Sequence, residues 1–424
     1  MTDIAFPPGL SRPQFKTLTL VALGGALEFY DFVIFVFFAT TMGALFFPPD
    51  MPDWLRLVQT FGIFAAGYLA RPLGGIVMAH FGDLRGRKRM FMLSILLMAI
   101  PTLLMGLLPT YAQVGVLAPL LLLLLRIMQG AAIGGEAPGA WVFVTEHVSP
   151  RHRNLACGSL SAGLCAGILI GSLVARTLDA ALDDAQLLAW GWRLPFLLGG
   201  VFGLVAMYLR RLLHETPVFT EMQARRTLSA ELPLKNVLRE HRGAAVLTML
   251  LTWLLTAAVV VVLLMTPTLL QGLGVDRGAA LSANTLAITA TVIGNLVLGW
   301  LADRFGAGRV LALCSVVLGV TFWMFYSGAQ AGNFSPALYV LAGFSVGLTA
   351  LVPAIAVSGF PAAVRFSGLS LAYNVAYAIA GGLTPVLLSL ALKDNPDAPM
   401  HYIAAMALLG VGLGLWVERR AQKK

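Results

Sequence analysis

The sequence predicts an all-α polytopic membrane protein with twelve transmembrane helices in two six-helix, pseudo-symmetric bundles. Three observations predict it. Of 424 residues, 58% are hydrophobic and only 12% charged, against roughly half and about a quarter in a soluble domain, and a mean hydropathy of +0.83 is spread along the whole chain. Apolar stretches of about 20 residues, the length a bilayer-crossing helix needs, recur twelve times. A short motif after the second stretch returns in degenerate form after the eighth. A soluble enzyme is excluded, as is a soluble domain on one anchor. The stretches are long and continuous, without the alternation of an outer-membrane barrel, so they are helices.

Taken in order, the first 17 residues are polar and contain proline, and they lead without a small-residue cleavage site into a retained span from near Leu18. The second and third spans begin near Leu57 and Met90, with GDLRGRKR (Gly82 to Arg89) between them. The fourth begins near Gln113 and carries six consecutive leucines, Leu120 to Leu125. The fifth, from near Leu155, is lined by Gly158, Gly163, Gly167 and Gly171, which let helices approach closely. The sixth begins near Trp192. The longest polar interruption, about Arg210 to Arg242, reads as an amphipathic connector. The expected division is therefore a bundle over 1–213, a linker over 214–243 and a bundle over 244–424. The last six spans begin near Ala244, Ala279, Val310, Pro336, Phe366 and Tyr402. ADRFGAGR (Ala302 to Arg309) follows the eighth, so that Asp83 pairs with Asp303, Gly86 with Gly306 and Arg89 with Arg309. Parallel six-helix halves around a midplane site are a recurring transporter design.

Of the 29 Lys and Arg, 22 fall on the side of the N-terminus and five on the other. Cytoplasmic loops carry such an excess, so both termini are expected in the cytoplasm and the chain in the cell inner membrane. The net charge of +9 sits in short loops rather than on a folded basic face, which argues against a nucleic-acid partner. Cys157, Cys165 and Cys314 lie in apolar stretches without CxxC spacing, and His147 and His152 lack a helical ligand pair, so no disulfide, metal or cofactor is expected. With no GK dipeptide there is no Walker A motif. No nucleophile and base stand together within the spans, so no catalytic residues are expected. A sensor would be expected to carry a soluble signalling domain, and none is evident.

A charge near the bilayer centre costs about 2.5–3.5 kcal/mol on insertion scales and is rare unless it works. Five stand in the predicted spans: Glu28, Asp31, Arg71, Arg126 and Glu136, all in the N-terminal half. Glu28 and Asp31, three apart in GGALEFYDF, are expected to share one helix face. Proton carriage near neutral pH calls for carboxyl groups out of water and close together. Asp31 is the preferred carrier, with Glu28 and Glu136 as further candidates; the alternative is an arginine partner that holds helices together. Arg126 presents a planar fork suited to a carboxylate substrate, with Gln129 one turn on and Glu136 or Asp31 as resting counter-ion. Glu136 is ten residues away, about 15 Å along a straight helix, beyond direct contact. Arg71 precedes Pro72 in GYLARPLGG, where the proline leaves a backbone carbonyl unmatched. Substrate contact and a structural role there weigh equally. The C-terminal half offers polar candidates: Asn284, Asn295, and Tyr373, Asn374 and Tyr377 in YNVAY. A lone Asn in a span is commonly an interhelical hydrogen bond.

GDLRGRK resembles the signature loop of the major facilitator superfamily, with Leu84 where the usual pattern has a basic residue. EFYDF, RPLGG, RIMQGAAIGGEAPGA, WRLPFLLG, ETPVF and the YN…GGLTP run from Tyr373 to Pro385 resemble its metabolite:H+ symporter branch, whose members carry carboxylates, or proline and betaine. The resemblance covers nearly the full chain. It implies proton symport of a small-molecule substrate by rocker-switch alternating access, and a conformational latch formed by Asp83, Gly86, Arg87 and Lys88 with Asp303 in the second copy. A monomer is expected. Osmolyte carriers of that branch typically have a long C-terminal tail, whereas this sequence ends eight residues after Trp416. The expectation is therefore a citrate-like di- or tricarboxylate, although only Arg71 and Arg126 are available to pair with it; the alternative is a zwitterion such as betaine or proline.

Overall fold

The computed structural model describes residues 12–85, 87–134, 136–211, 237, 239–361 and 365–422; within these, the side chains of 12–18, 21, 76–95, 136, 143, 146, 147, 150, 209–211 and 366 are not described. In a bilayer, backbone amides and carbonyls must pair within the chain, and among the described residues the chain answers with helices alone. Among the described residues, eight helices are long and apolar enough to cross a membrane, and ten if two bent pairs each count as one span. The 33-residue Asp53–Arg85 and the 21-residue Arg87–Leu107 stand at the second and third predicted spans.

We number them by span. Helix α1 is Arg12–Phe37, continued past a 62° bend by Ala39–Phe46; α2 is Asp53–Arg85 and α3 Arg87–Leu107; α4 is Leu117–Val142 and α5 Arg153–Ala181. Helix α6, Arg193–Arg211, follows a short helix bent by 44° from it. Then come α7 (Arg242–Gly272), α8 (Arg277–Phe305), α9 (Ala307–Gln330), α10 (Pro336–Ser358), α11 (Ser367–Ala391) and α12 (Ala398–Gln422). Local chemistry marks the ends. Asp276 caps α8 by accepting from the Ala279 amide at 2.9 Å, and Pro336 opens α10, where its missing amide costs nothing. Gly306, at φ 96°, makes the left-handed turn between α8 and α9 that glycine adopts without strain, which accounts for its place in the repeated motif.

Packing repeats six helices on. In the first half α1 packs on α5, α2 on α4 and α3 on α6; in the second α7 packs on α11, α8 on α10 and α9 on α12. Most of the linker expected over 214–243 lies outside the described residues. The halves meet along two long seams, α5 on α8 and α2 on α11. Both seams, and the α2–α4 pair beside them, depend on small residues. A Cβ added at Gly130 of α4 would overlap the Gly67 carbonyl of α2, so these backbones touch directly.

Glycine at Gly130 is therefore a packing requirement. Gly130→Ala is expected to cost about 1–3 kcal/mol or more, the range for overpacking, and to lower the thermal midpoint of the detergent-purified protein. Gly412→Ala, where the added methyl meets nothing within 4 Å, is the control that leaves it unchanged.

Candidate functional site

At the junction of the seams lies a cavity of ≈ 70 Å³ lined by Glu28 and Phe29 of α1, Arg71 of α2, Trp141 of α4, Cys165 of α5, and Tyr373 and Tyr377 of α11. Arg71, 1% exposed, directly precedes Pro72 within the continuous helix α2. Its guanidinium carbon lies 4.3 Å from the centroid of the Tyr377 ring and 5.7 Å from those of Tyr68 and Tyr373. Its Nε and Nη1 have no hydrogen-bond partner among the described residues. A widened turn at Tyr377–Gly381 in α11 brings Tyr377 and Tyr373 within 5.1 Å of each other. Tyr377 stacks on Tyr68 at 5.2 Å and Tyr373 meets Trp141 edge-on at 4.9 Å. The rings thus run from one half to the other around a single buried cation.

A second polar cluster lies wholly in the first half. Arg126, fully buried, donates from Nη1 to the Phe32 carbonyl at 3.1 Å and to Gln129 Oε1 at 2.8 Å. Phe32, Phe35 and Phe64 surround its guanidinium at 4.5, 4.9 and 5.1 Å. Gln129 Nε2 donates to Thr102 Oγ1 at 2.6 Å and to the Asp31 carbonyl at 3.4 Å. The Asp31 carboxylate points toward Gly199 and Gly203 of α6, and its Oδ1 has no partner among the described residues.

The expected shared face of Glu28 and Asp31 divides accordingly. Three residues advance a helix by about 300°, leaving the two side chains about 60° apart, and that offset sends Glu28 to the cavity and Asp31 to α6. Arg126, expected to face an anionic substrate, is not among the described residues that line the cavity, and its Nε and Nη2 have no hydrogen-bond partner among the described residues. Among the described residues no carboxylate lies within 4 Å of it, so Asp31 is not its ion-pair partner; the Glu136 side chain lies outside that set. Asn374 donates to the Gly134 carbonyl of α4 and to Ser370 Oγ, tying α11 to α4 beside the cavity rather than lining it. Asn284 and Asn295 hydrogen-bond to neighbouring helices, Asn284 to Tyr339 and Asn295 to Thr349. Of the expected latch, Asp83, Arg87 and Lys88 have undescribed side chains and Gly86 lies outside the described residues. Asp303 of α8 accepts at Oδ1 from the Asn154 amide (3.0 Å) and Nδ2 (2.9 Å), and at Oδ2 from the Leu155 amide (3.0 Å). It thereby caps α5 across the seam, where an anion suits a helix N-terminus.

Sequence reasoning passed over Tyr68 and Trp141. Tyr68 sits three residues before Arg71, and i,i+3 positions on a helix are neighbours, so that signal was present.

Paired six-helix halves with a cavity between them are the arrangement of a membrane transporter of small solutes. The family model for the Major Facilitator Superfamily matches residues 21–385, and the chain belongs to that superfamily. Over 96% of its length it is 32% identical to the glycine betaine/proline/ectoine/pipecolic acid transporter OusA of Dickeya dadantii, covering 84% of that protein. Over the same share it is 35% identical to the inner membrane metabolite transport protein YhjE of Escherichia coli, covering 95% of it, and 30% identical to the proline/betaine transporter of Salmonella typhimurium, covering 84%. These relatives place it in the metabolite:H+ symporter branch and make it a multi-pass transporter rather than an enzyme. In fold it matches the xylose transporter XylE of E. coli in a partially occluded inward-open conformation, with a TM-score of 0.74 over 96% of this chain and 97% of that one at 15% identity.

Gln129 is the hub of the second cluster. Gln129→Leu is expected to lower stability by about 1–3 kcal/mol, the cost of leaving buried partners unmatched. Added to Thr102→Val, it should cost clearly less than the sum of the two single changes, read as thermal midpoints in detergent.

Proposed function

We propose that this transporter carries small zwitterions of the amino acid or betaine type together with protons, by alternating access between its two halves. The observation that carries the reading is the pairing, in one cavity at the seam, of an arginine with unmet nitrogens and a set of aromatic faces. A guanidinium fork takes a carboxylate, and aromatic faces take an ammonium; a zwitterion presents both. The relatives named for proline and betaine support the same class. A citrate-like acid fits less well, because among the described residues Arg71 is the one cation that lines the cavity and Arg126 is not part of its lining. Where the sequence ends says nothing of the site, and Arg126, the other candidate partner for an acid, does not line the cavity.

Asp31 and Glu28 are the proposed proton carriers, with Glu136 as a third candidate. The buried Asp31 carboxylate, whose Oδ1 has no partner among the described residues, suits a group that takes up and releases a proton in the cycle rather than staying ionised throughout, and Glu28 lines the cavity itself. Substrate contacts are assigned to Arg71, Tyr373 and Tyr377. Gln129 and Arg126 hold the first half together, and Asn374 couples α11 to α4. Asp303, with Asp83, Gly86, Arg87 and Lys88, is assigned to the latch. The cation asymmetry supports an inner-membrane protein with both termini in the cytoplasm. Both seams and the cavity are complete within one chain, which supports a working monomer with halves dividing at the 214–243 linker.

Uptake of labelled proline into proteoliposomes is expected to fall as external pH rises, as it must when a proton is a co-substrate, and to be competed by trimethylglycine but not by citrate. Asp31→Asn is expected to abolish proton-driven accumulation while sparing exchange of internal for external substrate. Accumulation that ignores pH, or competition by citrate alone, would contradict the reading.

A further inference from the structure

Arg71 occupies the position that a substrate's own cation would seek. Three aromatic faces around one cation is the arrangement that recognises quaternary ammonium groups, and here Tyr68, Tyr373 and Tyr377 supply them at 5.7, 5.7 and 4.3 Å. The occupant is the protein's own guanidinium. The space beside it, ≈ 70 Å³, is well under the roughly 300–1,000 Å³ of an ordinary small-molecule site, so a solute the size of an amino acid enters only if a side chain moves. Arg71 is the group best placed to move: the rings and hydroxyls of Tyr373 and Tyr377 hold it, while its Nε and Nη1 have no hydrogen-bond partner among the described residues. A carboxylate arriving at that edge would satisfy both nitrogens.

We propose that Arg71 is a built-in competitor for the Tyr68–Tyr373–Tyr377 cage, displaced from the rings by the methylated ammonium of the substrate while its guanidinium takes the substrate's carboxylate. The inference rests on the zwitterion reading above and specifies it: the preferred solute is a quaternary ammonium carboxylate. One cation replaces another, so the charge within the cage is conserved. Tyr68 belongs to α2 and the other two rings to α11, so the exchange takes place where the two halves meet and hands the contact between them from a side chain to the solute.

The test is calorimetric titration of the purified full chain with two probes: trimethylglycine, and tetramethylammonium, which has the cation without the carboxylate. Arg71→Ala is expected to bind tetramethylammonium about tenfold more tightly, since the competitor is gone, and trimethylglycine at least about tenfold more weakly, since the carboxylate's partner is gone. Arg71→Gln, closer in volume, should show the same opposite shifts and serves if the alanine variant does not fold. Tyr377→Leu should weaken both probes, and Tyr377→Phe, which keeps the ring face, should restore trimethylglycine binding. Loss of affinity for both probes in the Arg71 variants, or unchanged tetramethylammonium binding, overturns the competitor while leaving the zwitterion reading intact. A wild-type protein that binds neither trimethylglycine nor proline overturns that reading, and the inference with it.

Discussion

A cation buried at the seam between two halves of a membrane protein is the constraint on which the rest of this structure depends. Placing Arg71 there costs about 2.5–3.5 kcal/mol on insertion scales. The offset comes from π faces, each contributing about 0.5–2 kcal/mol depending on desolvation. Two of the three rings belong to α11 in the opposite half, so α2 and α11 must close on one another for the charge to be tolerated. Close approach in turn demands small residues on neighbouring surfaces, which is what the α2–α4 contact at Gly67 and Gly130 provides. Arg126 solves the same problem differently. Its phenylalanine box and its bonds to Gln129 and the Phe32 carbonyl all come from the first half, so it stabilises that half without tying it to the other.

Other contacts cross the seams along their length, such as Ser172 of α5 with Thr285 of α8 at 2.7 Å, and at their ends. Arg277 of α8 pairs with Asp179 of α5 at 3.1 Å, and Lys393 sits over the Trp54 ring at 4.7 Å. At the opposite end of α5 and α8, Asp303 holds the α5 N-terminus. Partly exposed ion pairs contribute about 0–1 kcal/mol, whereas hydrogen bonds to a charged group contribute about 1.5–3 kcal/mol. Contacts of this size at the ends of the seams flank the Arg71 cluster at the centre, and each of them is individually modest.

Much of this was legible in the sequence. Span number and helix class follow from apolar length, and the two halves from the repeated motif and its glycine, whose counterpart Gly306 turns out to need a left-handed backbone. Arg71, Tyr373 and Tyr377 were picked out by charge and four-residue spacing, and the structure brings them together. What the sequence concealed was compensation. The rule that a buried charge is costly cannot say whether phenylalanines or a ligand will offset it, and aromatic residues are too common in spans to announce themselves, so the enclosure of Arg126 went unread. The separation of Glu28 from Asp31 is a matter of about 60° around one helix, finer than a three-residue spacing resolves. The organic-acid expectation drew on chain length and on Arg126 as a carboxylate's partner, whereas among the described residues Arg71 is the cation that lines the cavity.

The central claim is that the Arg71 cavity moves a zwitterion with protons. Its most direct test is to follow internal pH with a dye in proteoliposomes held without membrane potential, while proline, trimethylglycine, citrate and a dicarboxylate are added outside in turn. The account predicts acidification with the two zwitterions and none with the acids. Acidification by citrate or the dicarboxylate, with the zwitterions silent, would contradict it.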